Sequence, residues 1–468
     1  MHGKQFSKLL FLFTLFIFTL LFLNSCEKEA GQITAPDQQV QQQKNTALST
    51  ISNELKMAVF SDPHYYDPQM GISGAAFNLY VSMDRKMIAE SEAILQATIS
   101  KLLTADAEII LIPGDLTKDG EKQSHQKFAA YIAELEAAGK KVYVIPGNHD
   151  ISNPHAAAYV GDEAVPVPSV TPEEFAMIYN DFGFSEALYH DPNSLTYIAS
   201  PREGYWILAI DDCNYDNKFP ELSMTAGKLS DASLQWIGEK LQMAKAEGIT
   251  VVGMIHHGVV EHFPGMDQIF PEYLITDWRS VSSFLIDNGI KFMFSGHHHA
   301  TDISKFEYNG SALFDIQTGS SVTWQCPYRL ATYNSSLRRM DIDNEVITSI
   351  SYDTHGLSFQ AYAYNFLATG LPQLVVYQLM AMGADEATAR AIEPLVTNTM
   401  IAYYHGDERN MKNPDINKGI AQMMSSADPL AQMLGQVLLG IWHDQTADND
   451  VWIDGVKNKI MNKNLGAL

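Results

Sequence analysis

The sequence predicts an α/β layered fold followed by an all-helical C-terminal domain, and three observations carry that expectation. From Met57 to about Ile350, short β-branched runs alternate with amphipathic helical stretches. Beyond Gly356 strand signals fade, and apolar residues recur at helical spacing broken by Gly and Pro. With 468 residues, 46% of them apolar, the chain exceeds what one hydrophobic core usually organises but has ample core material for two.

Taken in order, residues 9–23 (LLFLFTLFIFTLLFL) form an apolar run behind Lys4 and Lys8. It is too short for an ordinary membrane span and reads as the core of a signal peptide over 1–25. The run ends in LNSC at 23–26, which resembles the bacterial lipoprotein cleavage site, so the expectation is an exported chain anchored to a membrane of the cell envelope by lipid on Cys26, or otherwise secreted. Residues 26–53, rich in Gln, Thr, Ser and Ala, read as a flexible tether.

Next come MAVFSD (57–62), EIILIPGD (108–115), KVYVIPGNHD (141–150), YWILAIDD (205–212), ITVVGMIHH (249–257) and KFMFSGHHH (291–299), each an apolar strand ending in polar residues. Helices are expected over 86–103, 124–138 and 231–247, the last capped by Ser230 and closed by Gly248. Segment 151–200, richer in Pro, Asn and aromatics, reads as an excursion over the core. Cys213 and Cys326, far apart and without a spacing pattern, read as unpaired small core residues. The formal charge of −24 repels polyanions, which argues against a nucleic acid polymer as partner and leaves small substrates in a locally cationic site.

The chemistry gathers at strand ends, where ligand sites of α/β folds form. Asp62 and His64 lie in SDPH, Asp115 in GDLTKDG, Asn148, His149 and Asp150 in GNHD, His256 and His257 in IHHG, and His297, His298 and His299 in GHHH. Singly, each has a plainer reading as a cap, a turn or an exposed tract. Their recurrence, each behind an apolar strand, supplies the mixed oxygen and nitrogen donors that borderline divalent metals accept. Side-chain alternation puts His297 and His299 on one face and His298 on the other. His125 and His155 read as solvated neighbours of the motif loops, Tyr65 and Tyr215 as core aromatics, and His262 carries no motif.

These motifs resemble the DxH, GD, GNHD, H and GHxH of the calcineurin-like metallophosphoesterase family, in family order across roughly residues 57–300. GDLTKDGEKQSH (114–125) and VIPGNHDISNP (144–154), with the helical tail, resemble secreted bacterial members grouped with class III cyclic-nucleotide phosphodiesterases. The resemblance implies a four-layer α/β/β/α sandwich over 54–355, with the helical domain over 356–468 flanking the site. It also implies two divalent or trivalent transition-metal ions, for which manganese, iron and zinc all suit. Asp62, His64, Asp115 and His299 would hold the first; Asp115, Asn148, His256 and His297 would hold the second, with Asp115 bridging. His256 is preferred over His257 because the family places its ligand first in such a pair. His149 would protonate the departing oxygen, with Asp150 orienting it. The expected activity is hydrolysis of a small phosphodiester, a cyclic nucleotide favoured, by in-line attack of activated water. Phosphomonoesters, nucleotides and lipid phosphodiesters are alternatives on the same site, and a noncatalytic, metal-stabilised binding lipoprotein is the rival of a different class.

Overall fold

A computed structural model describes residues 53–215, 225–406, 414–443 and 448–463. The expected signal peptide, all but the last residue of the expected tether, and Cys26 lie outside the described residues. Strands β1 (Glu54–Val59), β2 (Ile109–Pro113) and β3 (Lys141–Ile145) are followed by the small hairpin β4 (Ala157–Val160) and β5 (Glu163–Pro166). Then come β6 (Ala187–His190), β7 (Tyr197–Arg202), β8 (Tyr205–Ala209), β9 (Thr250–Met254), β10 (Phe292–Ser295), β11 (Asp302–Tyr308), β12 (Ser311–Gln317), β13 (Pro327–Asn334) and β14 (Arg339–Val346). Helices α1 (Ala75–Ser82), α2 (Ser91–Thr104), α3 (Lys122–Ala137), α4 (Pro172–Ile178), α5 (Asp231–Glu247), α6 (Met266–Ile269) and α7 (Trp278–Asp287) lie between them. After β14 the chain forms α8 (Phe359–Ala381), α9 (Glu386–His405), α10 (Pro414–Met424) and α11 (Pro429–Trp442), then β15 (Val451–Asp454) and β16 (Lys459–Asn462).

Two seven-stranded sheets result, ordered β16-β15-β14-β13-β1-β2-β3 and β11-β12-β10-β9-β8-β7-β6. Alternation along the strands shows what each face of the second sheet meets. Ile207 and Ala209 of β8 and Phe292 and Phe294 of β10 share a core with β1, β2 and β3 of the first sheet. Their neighbours Trp206, Leu208 and Met293 face the other way, packing with Ile237 and Leu241 of α5, Leu285 of α7 and Leu371 and Val375 of α8. Helices α2 and α3 pack through Ile94, Ile99, Phe128 and Ile132 into the first core. The order is therefore helix, sheet, sheet, helix, as expected. Strand β2, buried along its whole length, shows why its sequence carries no polar alternation: it is covered on both faces.

Helix α5 starts and stops where its caps dictate: the Ser230 side chain accepts from Ser233 N, and Gly248 closes it in the left-handed region at φ 70°. The helix expected from 86 begins at Ser91. Residues 86–90 instead make a turn anchored by Met87 N donating to Val322 O at 2.9 Å. The excursion expected over 151–200 holds only for its first part, because β6 and β7 extend the second sheet.

An all-helical C-terminal segment is met over α8 to α11 and corrected after it. Strand β15 pairs antiparallel with β14, and β16 with β15, with Val451 and Ile453 fully buried. Four residues of alternation are too few to stand out beside long helices, so only the open edge of β14 reveals them as strands. From Glu54 onward the chain forms one compact unit. Among the described residues, no helix is long and apolar enough to cross a membrane.

Candidate metal centre

The C-terminal ends of β1, β2, β3, β9 and β10 bring the motif residues together. Asp62, His64, Asp115 and His299 each offer a ligating atom within 4.8 Å of the others, and Asp115, His256 and His297 do the same. Asp115 Oδ2 stands between the two groups, 3.6 Å from His64 Nε2 and 3.5 Å from His256 Nε2. His299 Nε2 lies 3.0 Å from His64 Nε2 and 3.5 Å from Asp62 Oδ1. Asn148 Oδ1 reaches within 3.1 Å of His256 Nε2, which places it at the second group. All of these side chains are buried.

The backbone is strained to do this. Asp62, His64, Asp115, His297 and His299 all sit at positive φ, between 38° and 73°, a region that costs an L-residue roughly 1–2 kcal/mol. Glycine makes room at the close approaches. A Cβ on Gly147 would stand 2.2 Å from Asp115 N and Oδ1, and one on Gly296 would stand 2.2 Å from Ser61 Oγ. Beta strand β10 ends at Ser295, so strand alternation is not what separates His298 from its neighbours. The left-handed residues on either side turn it away instead.

The donor set fits cations. His256 Nδ1 donates to the Pro113 carbonyl at 2.8 Å, which leaves the Nε2 lone pair facing the Asp115 carboxylate. Such lone pairs repel unless a positive charge lies between them. Such a cluster favours bound protons: burial pushes Asp62 up to about 7, and although burial lowers His256, Asp115, Asp62 and the Pro113 carbonyl together raise it to about 10. Divalent cations would replace those protons with the oxygen and nitrogen coordination that the residues offer.

His149 lies at the rim, its ring 5.0 Å from that of His64, and its backbone N donates to Asp115 Oδ1 at 2.9 Å. Its Nδ1 is 2.9 Å from Asp119 Oδ1. Asp150, expected to orient His149, does something else. It accepts from the backbone N of Gly147, Leu116 and Thr117 at 2.8, 3.0 and 2.9 Å, stapling the GNHD loop to the GD loop. Burial favours a protonated Asp119, but Lys118 and His149 overcome it and hold that carboxyl well below its usual range. The signal that marks Asp119 is its place in GDLTKDG, the motif that also carries Asp115.

Of the remaining histidines, His257 pairs with Asp212 Oδ2 at 2.9 Å and reaches the Thr225 carbonyl at 2.6 Å, in a group with Cys213. His125 is fully buried, contrary to a solvated role, between the Tyr179 hydroxyl and the Asp150 carbonyl; His155 is exposed. Tyr65 is core, and Cys213 and Cys326 are unpaired. His298 meets the Tyr403 hydroxyl of α9 at 2.7 Å, which also meets His262 at 2.6 Å. No motif marks His262 or Tyr403; only packing joins them.

The fold and the paired ligand groups sharing one carboxylate suit the class of metal-dependent phosphoester hydrolases. A family model described as calcineurin-like phosphoesterase matches residues 55–301, and the chain belongs to that family. A 3',5'-cyclic adenosine monophosphate phosphodiesterase of Vibrio vulnificus is 23% identical over 258 residues, covering 55% of this chain and 74% of the relative. Among solved structures, a dimetal phosphatase from Danio rerio is 14% identical with a TM-score of 0.44, covering 63% of this chain and 97% of that one. A purple acid phosphatase from yellow lupin is 11% identical with a TM-score of 0.42, covering 63% and 52%.

Proposed function

We propose that the protein hydrolyses a small phosphodiester, with a cyclic nucleotide the favoured substrate, as an exported lipoprotein anchored through Cys26. The observation that carries the hydrolase reading is Asp115 Oδ2 standing between His64 and His256, with the other buried donors around it. The preference for a diester rests on the cyclic-nucleotide phosphodiesterase relative. Asp62, His64, Asp115 and His299 would hold one cation, and Asp115, Asn148, His256 and His297 the other. When bound, two such cations supply an activated water and offset charge on the phosphoryl oxygens. His149 holds a proton for the departing oxygen, with Asp119 accepting from Nδ1 and fixing the ring. Asp150 keeps the two loops in register. The test is turnover by the metal-reconstituted chain over cyclic nucleotides, linear diesters and phosphomonoesters. Turnover of cyclic nucleotides well above the others supports the reading; preference for monoesters would overturn the diester assignment, and no turnover of any ester would overturn hydrolysis.

A further inference from the structure

Arg85 and Lys86 lie in the turn between α1 and α2 and belong to none of the ligand motifs. In a chain of net charge −24, local positive charge at the site is what an anionic ester requires. The two cations are not equivalent. Lys86 Nζ is paired with Asp84 at 3.1 Å. The Arg85 guanidinium instead lies on aromatic groups: its Cζ is 5.4 Å from the Tyr404 ring centroid of α9, and Tyr273 is within hydrogen-bonding reach. Arg85 Nε is buried with no hydrogen-bond partner, a donor left over by the fold. Tyr273 continues directly to the metal loop, its ring stacked on His298 at 4.2 Å and 5.1 Å from that of His297. Tyr404 is itself tied to that loop, its carbonyl accepting from Thr301 N at 3.3 Å, two residues beyond His299.

We propose that Arg85 is the anion anchor of this site, its guanidinium taking a non-bridging phosphoryl oxygen of the ester seated against the ligand cluster. The assignment deepens the phosphoester reading above and rests on it. A planar fork held by an aromatic face and a hydroxyl is pre-organised for two phosphoryl contacts, which a lysine ammonium is not. Because Tyr404 comes from α9, the helical segment contributes to substrate binding through the residue that holds the anchor.

The experiment uses the metal-loaded full chain and inorganic phosphate as the probe, with calorimetric affinity, metal content and thermal stability measured together. Arg85→Gln is expected to keep both metals and weaken phosphate binding roughly 10- to 100-fold, the range of one charge-assisted hydrogen bond or somewhat more. Arg85→Lys keeps the charge and loses the fork, so it should recover only part of the loss, and it serves where the Gln variant folds poorly. In ester turnover both variants should raise KM more than they lower kcat. Wild-type phosphate affinity in either folded, metal-loaded variant overturns the anchor, as does an absence of phosphate binding by the wild type. Phosphate binding that depends on Arg85 in a chain that turns over no ester would sink the hydrolase reading and leave the anchor standing.

Discussion

His149 is held by its Nδ1 on Asp119 at 2.9 Å while its ring stays beside that of His64, and this makes its role separable from metal binding. A ribose oxygen leaves poorly and needs a proton as its bond breaks; p-nitrophenolate does not. His149→Ala should therefore cost about 10²–10⁴-fold with a cyclic nucleotide and much less with a p-nitrophenyl diester, at unchanged metal content. Equal losses on both substrates, with chemistry rate-limiting, would count against the acid. The three consecutive histidines give a second test at this scale. His297 and His299 sit in the two ligand groups, whereas His298 meets Tyr403. Elemental analysis should find metal lost from His297→Ala and His299→Ala but retained in folded His298→Ala. Equal losses in all three would mean that the loop acts as an unstructured tract.

Helix α3 carries a pH-dependent contribution to stability, because His125 on its inner face is fully buried between Thr117, Asp150 and Tyr179. Burial lowers its pKa from 6.5 to about 4. Above pH 6.5 the ring is neutral whether folded or unfolded, so it contributes no pH dependence. Between 6.5 and 4 the unfolded chain takes up a proton that the folded one refuses, and stability falls as pH falls. The expected contribution is about 2 kcal/mol between pH 7 and pH 5, from the 1.36 kcal/mol per pKa unit of linkage. Urea denaturation at the two pH values should show a smaller loss for His125→Gln than for wild type; an unchanged pH dependence would contradict a buried neutral imidazole.

At the scale of the whole molecule, the last strands tie the far end of the chain to the first sheet. The guanidinium of Arg329, in β13 and fully buried, donates to the Asp448, Gln317 and Asp302 carbonyls, holding the approach to β15 against both sheets. Ile453→Ala removes a fully buried side chain from β15 and should cost about 2–5 kcal/mol of unfolding free energy. In a variant that remains folded, metal content should match wild type, because every candidate ligand group among the described residues lies before residue 300. A stability change well under 1 kcal/mol would mean that β15 is not part of the cooperative core.

Local pattern determined the strand ends, the strand-terminal Asp, Asn and His residues and the caps of α5, because periodicity, capping and turn chemistry are set by residues a few positions apart. Parallel strands then carry their ends to one edge, so the gathering of these motif residues was legible before any contact was known. Tertiary structure decided which groups became partners: Asp119 rather than Asp150 for His149, Tyr403 for His298, the interior for His125, and Tyr273 and Tyr404 around Arg85. It also made strands of 451–454 and 459–462, which needed the open edge of β14. Those outcomes depend on surfaces brought together from distant parts of the chain, where burial and hydrogen-bond satisfaction choose among residues that local sequence leaves equivalent.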